Sequence, residues 1–309
     1  SYESCATASR RRSSGGDEEH MNKMQRRRIW RPIVYILLFG WTIIALFPLY
    51  WLLITSFKQP IAVFQGPKYL PWIDFKPTLN AWKFLLTGPA HAAVLRDWRN
   101  SAIEAITSAV LAVGIGSMAG YALTRFQYKI KFLRWKNSDI AFWIISQRML
   151  PPVVVVLPFL IMYRFVGMVD TYLGMILAYT VFNLPFAVWI MRDFFANLPV
   201  DLEESALIEG ASRFKAFRLI VIPLAAPGLV ATFLFCMMFA WNDYLFALML
   251  TFSRASTLPM YIAGEGTQSY GPQWWYLSAL SLMAVVPMMI VAVFVERFIS
   301  RGLVVGAIK

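Results

Sequence analysis

Beyond the N-terminal tail, acidic side chains gather at one place in the chain. Asp201, Glu203, Glu204 and Glu209 share one short stretch, and Arg213, Lys215 and Arg218 follow within about two helical turns. Clustered carboxylates suit metal binding or proton transfer, but the chain lacks the partners for either. His20 and His91 are its only histidines and Cys5 and Cys236 its only cysteines, so a histidine-based metal site, a serine–histidine set and a CxxC site all lack their residues. No Gly-Lys pair occurs, which removes a Walker A loop and ATP hydrolysis through one. What remains for the acids is recognition of another protein.

The local pattern supports that use. Pro199 suits the first turn of a helix over Pro199–Gly210, and Asp201, Glu203 and Glu204 sit where the helix dipole favours anions. Gly210 predicts a left-handed stop, and Ser212 a cap for a second helix that carries Arg213 and Lys215 and enters apolar sequence at Pro223. Ala206, Gly210 and Ala211 leave a low-relief surface for close approach. A short helix joined rigidly to an apolar one can pass force inward from a soluble partner.

The elements that must hold this stretch are built for a membrane. Of 309 residues 59% are hydrophobic and 15% charged, with a mean hydropathy of +0.57, where a soluble domain would be roughly 25% charged. Six apolar runs come near the ~20 residues needed to span a bilayer: Ile33–Thr55, Ser101–Thr124, Ile140–Tyr163, Tyr172–Phe195, Leu224–Thr251 and Tyr276–Phe298. Helix is the form expected, since a lone strand leaves its backbone unpaired in lipid. Pro48, Pro151, Pro152, Pro158, Pro185 and Pro287 lie within the runs and predict kinks or unwound turns. The net charge of +12 does not point to nucleic acid, because the cations lie at the ends of the apolar runs. Twenty Lys and Arg fall on the side that holds the N-terminal region, the acidic stretch and the C-terminal tail, against eight on the other. The positive-inside rule then places both termini and the acidic stretch in the cytoplasm.

The outer connections are unequal. Lys58–Asn100 carries five prolines and three tryptophans and reads as an ordered extracytoplasmic loop. Phe252–Trp275 holds Gly264, Gly266, Gly271 and the pair Trp274–Trp275, an interfacial belt or a lip that touches a substrate-delivering partner. Residues 1–28 read as a disordered cytoplasmic leader, with Ser1–His20 as sequence upstream of a natural start at Met21 or Met24. Gly116 and Gly120 form a small-xxx-small pair, for packing within the subunit or against another.

Ionisable groups at membrane depth are costly and default to functional candidates. Arg148 faces a ligand or pairs with Glu104 or Asp243 to hold the bundle. Trp241, Asn242, Asp243 and Tyr244 supply the planar polar and aromatic groups from which sugar sites are built, about 30 Å along one continuous fifth helix from Pro223.

Glu204-Ser205-Ala206, Gly210 after three intervening residues, and Ile222-Pro223 resemble the EAA signature of ABC importer permeases, with Ser205 at the usual first alanine. Arg148 to Pro152, Trp241 to Tyr244 and the ending Arg301 to Lys309 are similar to the carbohydrate-uptake branch, the family of the maltose-transporter inner-membrane subunits; the resemblance covers about Ile29 to Lys309. It implies an all-α membrane protein of six transmembrane helices with the type I (MetI-like) importer fold. The implied organisation is a leader (1–28), a first span (29–57), a periplasmic loop (58–100), a five-helix core (101–298) with a coupling helix at 197–222, and a cytoplasmic tail (299–309).

The resemblance further implies a non-catalytic permease subunit in the bacterial inner membrane, paired with a second permease. A dimer of cytoplasmic ATPase subunits would bind ATP and Mg, so this chain would carry no cofactor. An extracytoplasmic sugar-binding protein would deliver the substrate. Glu203, Glu204, Ala206, Glu209, Gly210 and Arg213 become the ATPase-coupling set, with Glu204 as the contact and Gly210 as the turn; Gly302–Lys309 is a second contact or a frayed basic end. Arg148, Trp241, Asn242, Asp243 and Tyr244 become the substrate path, although in the related maltose system the partner permease holds the sugar. Arg148 tilts the substrate toward an anionic sugar. The competing reading is an ion-coupled secondary transporter, which would use Glu104 and Asp243 as ion sites and leaves the EAA stretch without a role.

Overall fold

A computed structural model describes residues 3–128, 135–267 and 271–306, with side chains from Trp30 to Phe294 and at Glu296. The expected tail contact at Gly302–Lys309 and the cations Lys129, Lys131 and Arg134 lie outside the described side chains. Among the described residues the regular structure is helix, apart from an isolated bridge between Pro71 and Phe75, with turns and irregular loops between the helices.

The first helix, α1 (Glu3–Ser56), runs on through the stretch expected to be a disordered leader. Its apolar part, Trp30–Ser56, is long enough to cross a membrane. It leans on the last helix and turns Tyr35, Phe39 and Trp41 outward, as lipid contact allows. The connection to the second span then holds two short helices, α2 (Pro60–Phe64) and α3 (Asn80–Thr87). The second span, α4 (His91–Arg125), begins ten residues before the expected Ser101. Its polar start continues the helix because Asp97 and Asn100 are buried against protein and hydrogen-bonded, with no lipid to face.

The third apolar run is not one rod. Helix α5 (Asn137–Ser146) tightens over Gln147–Met149 and stops, and α6 (Pro152–Val166) leaves at 87° to it. Leu150 and Pro151 are extended, as residues before proline prefer. By contrast α7 (Tyr172–Ala196) continues through Pro185 as one element, with no interruption at the expected kink. After α8 (Asp201–Ile208) come α9 (Arg213–Ala216), a wide π-helical turn Phe217–Val221 and α10 (Ile222–Leu224). The chain then bends by 77° into α11 (Ala226–Trp241), with Pro227 in its first turn. The fifth span does not reach Thr251 as expected. It ends at Trp241, and a separate α12 (Leu245–Leu250) follows; α13 (Leu258–Gly266) and α14 (Trp274–Gly306) complete the chain. The straight run of α11 is therefore about 24 Å at 1.5 Å per residue, shorter than the continuous helix expected. Four helices are long and apolar enough to cross a membrane, or up to six if each bent pair is one span, among the described residues.

The core forms where α4 packs on α7 and α11. A Cβ at Gly116 would meet that of Ala187 at 2.7 Å, and one at Gly120 the backbone nitrogen of Arg192 at 2.8 Å. The small-xxx-small pair thus serves packing inside the subunit, drawing α4 and α7 together until backbones touch.

In the turn between α6 and α7 one carboxylate organises the loop ahead of α13. Asp170, at φ 56 in the turn between α6 and α7, accepts the backbone N–H groups of Phe252, Ser253, Arg254 and Ala255. Asn100 donates to the carbonyls of Arg254 and Ser256, and Ser256 donates to Asp97. Burial raises the Asp170 pKa, but the four amide donors, Ala255 first, outweigh it and hold the carboxyl below its ordinary value.

Two outcomes follow for purified protein in detergent. Gly116→Val should destabilise by about 1–3 kcal/mol through overpacking, whereas Gly114→Ala, with nothing within 4 Å on the same helix, should be neutral or slightly stabilising; equal melting temperatures for both would remove the close-contact account. A depressed native pKa means that Asp170 stabilises above its unfolded pKa and that this stability is lost as pH falls through the native value. Asp170→Asn should melt below the parent at about pH 7, and the gap should narrow below about pH 4; a gap independent of pH would contradict the amide clamp.

Candidate docking element and substrate path

Adjacent residues on a helix point about 100° apart, and in α8 this separates Glu203 from Glu204. Glu203 is 4% exposed and turns into the protein. Its Oε2 takes the Nε–H of Arg125 at 2.9 Å, and its Oε1 accepts the hydroxyl of Tyr121. Arg125 also donates to the carbonyl of Leu198, just before α8. Tyr121 packs among Phe126, Phe195 and Phe217, so the latch sits in an aromatic cluster joining α4, α7 and the π-helical turn. Asn137 donates to the carbonyls of Leu123 and Phe126 and fixes the end of α4. Arg213 lies over the Phe126 ring at 5.2 Å.

The turn forms as the residues require. Gly210 adopts φ +88, and Ser212 accepts the amide of Lys215. The helix itself starts at Asp201, leaving Pro199 two residues ahead of it. Ala206 is buried against its own chain, so it is absent from the outer face where a low-relief surface was expected. That face carries Leu202, Glu204, Glu209 and Ile208, the last 87% exposed, with Phe214 beyond the turn at 68%. An acid beside fully exposed apolar knobs is a surface that a cleft on another protein can grip.

The residues expected on a substrate path divide. Arg148 forms no ion pair with Glu104 or Asp243. Its guanidinium lies over the rings of Phe182 (3.9 Å) and Phe239 (4.8 Å) and donates to the carbonyl of Phe182. Cation–π contact and a carbonyl satisfy the charge where a carboxylate was expected. Trp241 is buried, donates to the carbonyl of Ala284 and meets Trp98 edge-on. Asp243 accepts the Tyr179 hydroxyl and the amides of Phe246 and Ala247 at the start of α12. Asn242 and Tyr244 face outward, beside a cavity of about 610 Å³ lined also by Pro152, Phe235, Phe239 and Asp243. Glu104 is fully enclosed, and neither oxygen has a hydrogen-bond partner among the described residues.

Sequence reasoning passed over Tyr121 and Arg125, which entered only as part of an apolar run and as one of the orientation charges. Their spacing puts them on one helical face at the end of a span, but their partner lies 78 residues on. Nothing local in the sequence could join them.

The family model described as "Binding-protein-dependent transport system inner membrane component" matches residues 112–304. The trehalose/maltose transport system permease protein MalG of Thermococcus litoralis is 33% identical over 86% of this chain and 92% of its own length. The trehalose transport system permease protein SugB of Mycobacterium tuberculosis is 33% identical over 86% and 93%. In fold, a chain of a bacterial ABC transporter involved in the import of the acidic polysaccharide alginate is similar at a TM-score of 0.69 and 22% identity, over 87% of this chain and 96% of that one.

The latch has a thermodynamic signature. Its side chains are only 9% and 5% exposed, and removing one partner strands the other. Arg125→Ala or Glu203→Ala should each cost about 3–5 kcal/mol, read as a fall in melting temperature. Arg125→Met combined with Glu203→Leu removes both charges and should recover much of the loss. Strictly additive losses would show that the two groups do not interact.

Proposed function

Because the chain belongs to the binding-protein-dependent transport system inner membrane components, we propose that it is a permease subunit of an ATP-driven importer of a sugar, moved by a cytoplasmic ATPase through α8. The observation that carries this is the pairing of Glu203 with Glu204. One adjacent acid ties α8 to the end of α4, and the other stands exposed beside Ile208 on a face that no part of this chain covers among the described residues. A docking element needs both properties: an outer grip and an inner attachment.

In this reading ATP and Mg sit on the ATPase pair. Closure of that pair carries the outer face of α8 with it, and the motion reaches α4 through Glu203, Arg125 and Tyr121. Glu204, Glu209 and Ile208 make the contact. Gly210 supplies the turn, Ala206 lets α8 lie close to its own chain, and Arg213 fixes the second helix to Phe126. The side of the membrane follows from the charge count, which puts α8 and both termini in the cytoplasm. A second permease subunit completes the path, and an extracytoplasmic binding protein delivers substrate at the end organised by Asp170. The sugar class is supported by the trehalose and trehalose/maltose permeases among the relatives.

The chain should co-purify with an ATPase and a second permease. In that complex Glu204→Lys should abolish substrate-stimulated ATP hydrolysis while the melting temperature stays near the parent's, a surface change being worth within about 0.5 kcal/mol. Normal coupling in the variant would sink the docking role of Glu204. Uptake that survives without ATP but collapses with the ion gradient would instead favour the ion-coupled transporter.

A further inference from the structure

The connection from α1 to the second span contains a tightly built loop with an apolar tip. Between Leu70 and Phe75 the chain closes on itself. The amide of Trp72 donates to the carbonyl of Phe75, and the amide of Asp74 to that of Leu70. The Asp74 carboxylate accepts the amides of Tyr69 and Leu70. Trp72 sits at φ 65, a left-handed conformation that bulky side chains avoid and that persists only where surrounding bonds impose it. The loop thereby holds two large apolar side chains in the open, Trp72 at 82% exposure and Ile73 at 78%. Phe64, in the same connection, is exposed as well.

The loop is fastened to α1 at a definite height. Tyr50 donates its hydroxyl to the carbonyl of Tyr69, and the Trp51 and Tyr69 rings lie 5.4 Å apart. The Lys58 ammonium joins Trp51 and Phe75, at 4.0 Å and 5.4 Å from their centroids. The apolar part of α1 starts at Trp30. From there to Tyr50 a helix rises about 30 Å, the thickness of the hydrocarbon core of a bilayer. Tyr50 therefore stands at the far interface, and the tip bonded beside it lies at headgroup level. Tryptophan and tyrosine with cations nearby make up that layer, and Lys68 and Lys76 flank the tip.

Between the tip and the last turns of α1 runs a groove of about 440 Å³, walled by Tyr50, Leu53, Trp72, Phe75 and Leu79 among others. The two hydroxyls on its wall, those of Tyr50 and Thr78, are spent on the carbonyls of Tyr69 and Phe57. Such a wall offers a polar solute nothing to bond. It continues into Phe47, Tyr50 and Leu53 along the exposed side of α1. A soluble partner that comes and goes would leave Trp72, Ile73 and Phe64 in water between visits, whereas a bilayer covers them permanently.

We propose that the loop 69–76 is an interfacial anchor. Trp72 and Ile73 are set into the phospholipid leaflet at the C-terminal end of α1, and lipid acyl chains cover the groove against Leu53 and Leu79. The anchor fixes the height of the α1–α4 connection in the membrane. On the charge count this leaflet is the extracytoplasmic one.

The test places an environment-sensitive nitrobenzoxadiazole label at Ile73→Cys, with Cys5→Ser and Cys236→Ala removing the other thiols. The chain, with its co-purifying subunits, is studied in phosphatidylethanolamine–phosphatidylglycerol nanodiscs. Emission should be blue-shifted from its value in water, and phospholipid spin-labelled just below the headgroup should quench it about twofold, more than lipid labelled at the chain end. A label at Leu79→Cys, on the groove wall, should be quenched to a similar extent. Trp72→Gly suits the positive φ and so keeps the loop, and it should roughly halve the quenching at position 73. Undiminished quenching in that variant would overturn the claim that Trp72 holds the tip in lipid. Water-like emission at both labels, with quenching by iodide from the buffer, would overturn the anchor. So would blue-shifted emission that the lipid labels leave intact, since protein would then cover the tip. Emission that turns blue only when an extracytoplasmic binding protein is added would overturn it too and make the tip that partner's docking surface. ATP-driven uptake by the same preparation reports on the importer reading separately, so either reading can fail alone.

Discussion

A backbone amide in hydrocarbon has no water to bond, and an unpaired one costs several kcal/mol. The whole chain is arranged around that constraint. Helix α7 carries Pro185, which gives up one ladder hydrogen bond, and still continues as one element. Where two prolines come together, at Pro151 and Pro152, the span turns by 87°. Where α11 ends at Trp241, Asp243 takes up amides at the start of α12.

The same rule governs the polar side chains. Asp170 gathers four amides of a loop that would otherwise present them unpaired. Arg148 is satisfied by rings and one carbonyl. Each of these charges finds its partners within the chain, next to a place where the backbone departs from helix.

Much of this was legible from the sequence, and the limits have a physical cause. Six apolar runs, the stop at Gly210, the cap at Ser212 and the close approach at Gly116 and Gly120 are local properties, set by residue type and spacing over a few turns. The EAA spacing was equally local, and the match of the family model to residues 112–304 agrees with it. Partnerships across the chain were not legible. Arg148 next to a proline break looked like half of an ion pair, because carboxylates were the only counter-charges visible in one dimension; the rings of Phe182 and Phe239 answer it instead. Asp243 looked like a ligand group, and its commitment to α12 required knowing that the fifth helix stops at Trp241.

Glu203 and Glu204 show the same limit at its sharpest. In the sequence they are two equal acids in one motif. One step of the helix gives them opposite tasks. An outward acid alone would let a partner pull on α8 while α8 slid over the bundle. An inward acid alone would fix α8 and offer nothing to hold. The buried contact is short and charge-assisted, and its hydrogen-bonding groups come from α4, the helix most extensively packed against the rest of the core. Displacing α8 therefore requires either breaking a desolvated ion pair, at about 3–5 kcal/mol, or moving α4 with it. Since α4 meets α7 with backbones in contact at Gly116 and Gly120, the second course moves the core as a unit. On the proposed docking role, a load applied at Glu204 would enter the bundle at the end of α4 and travel along that helix.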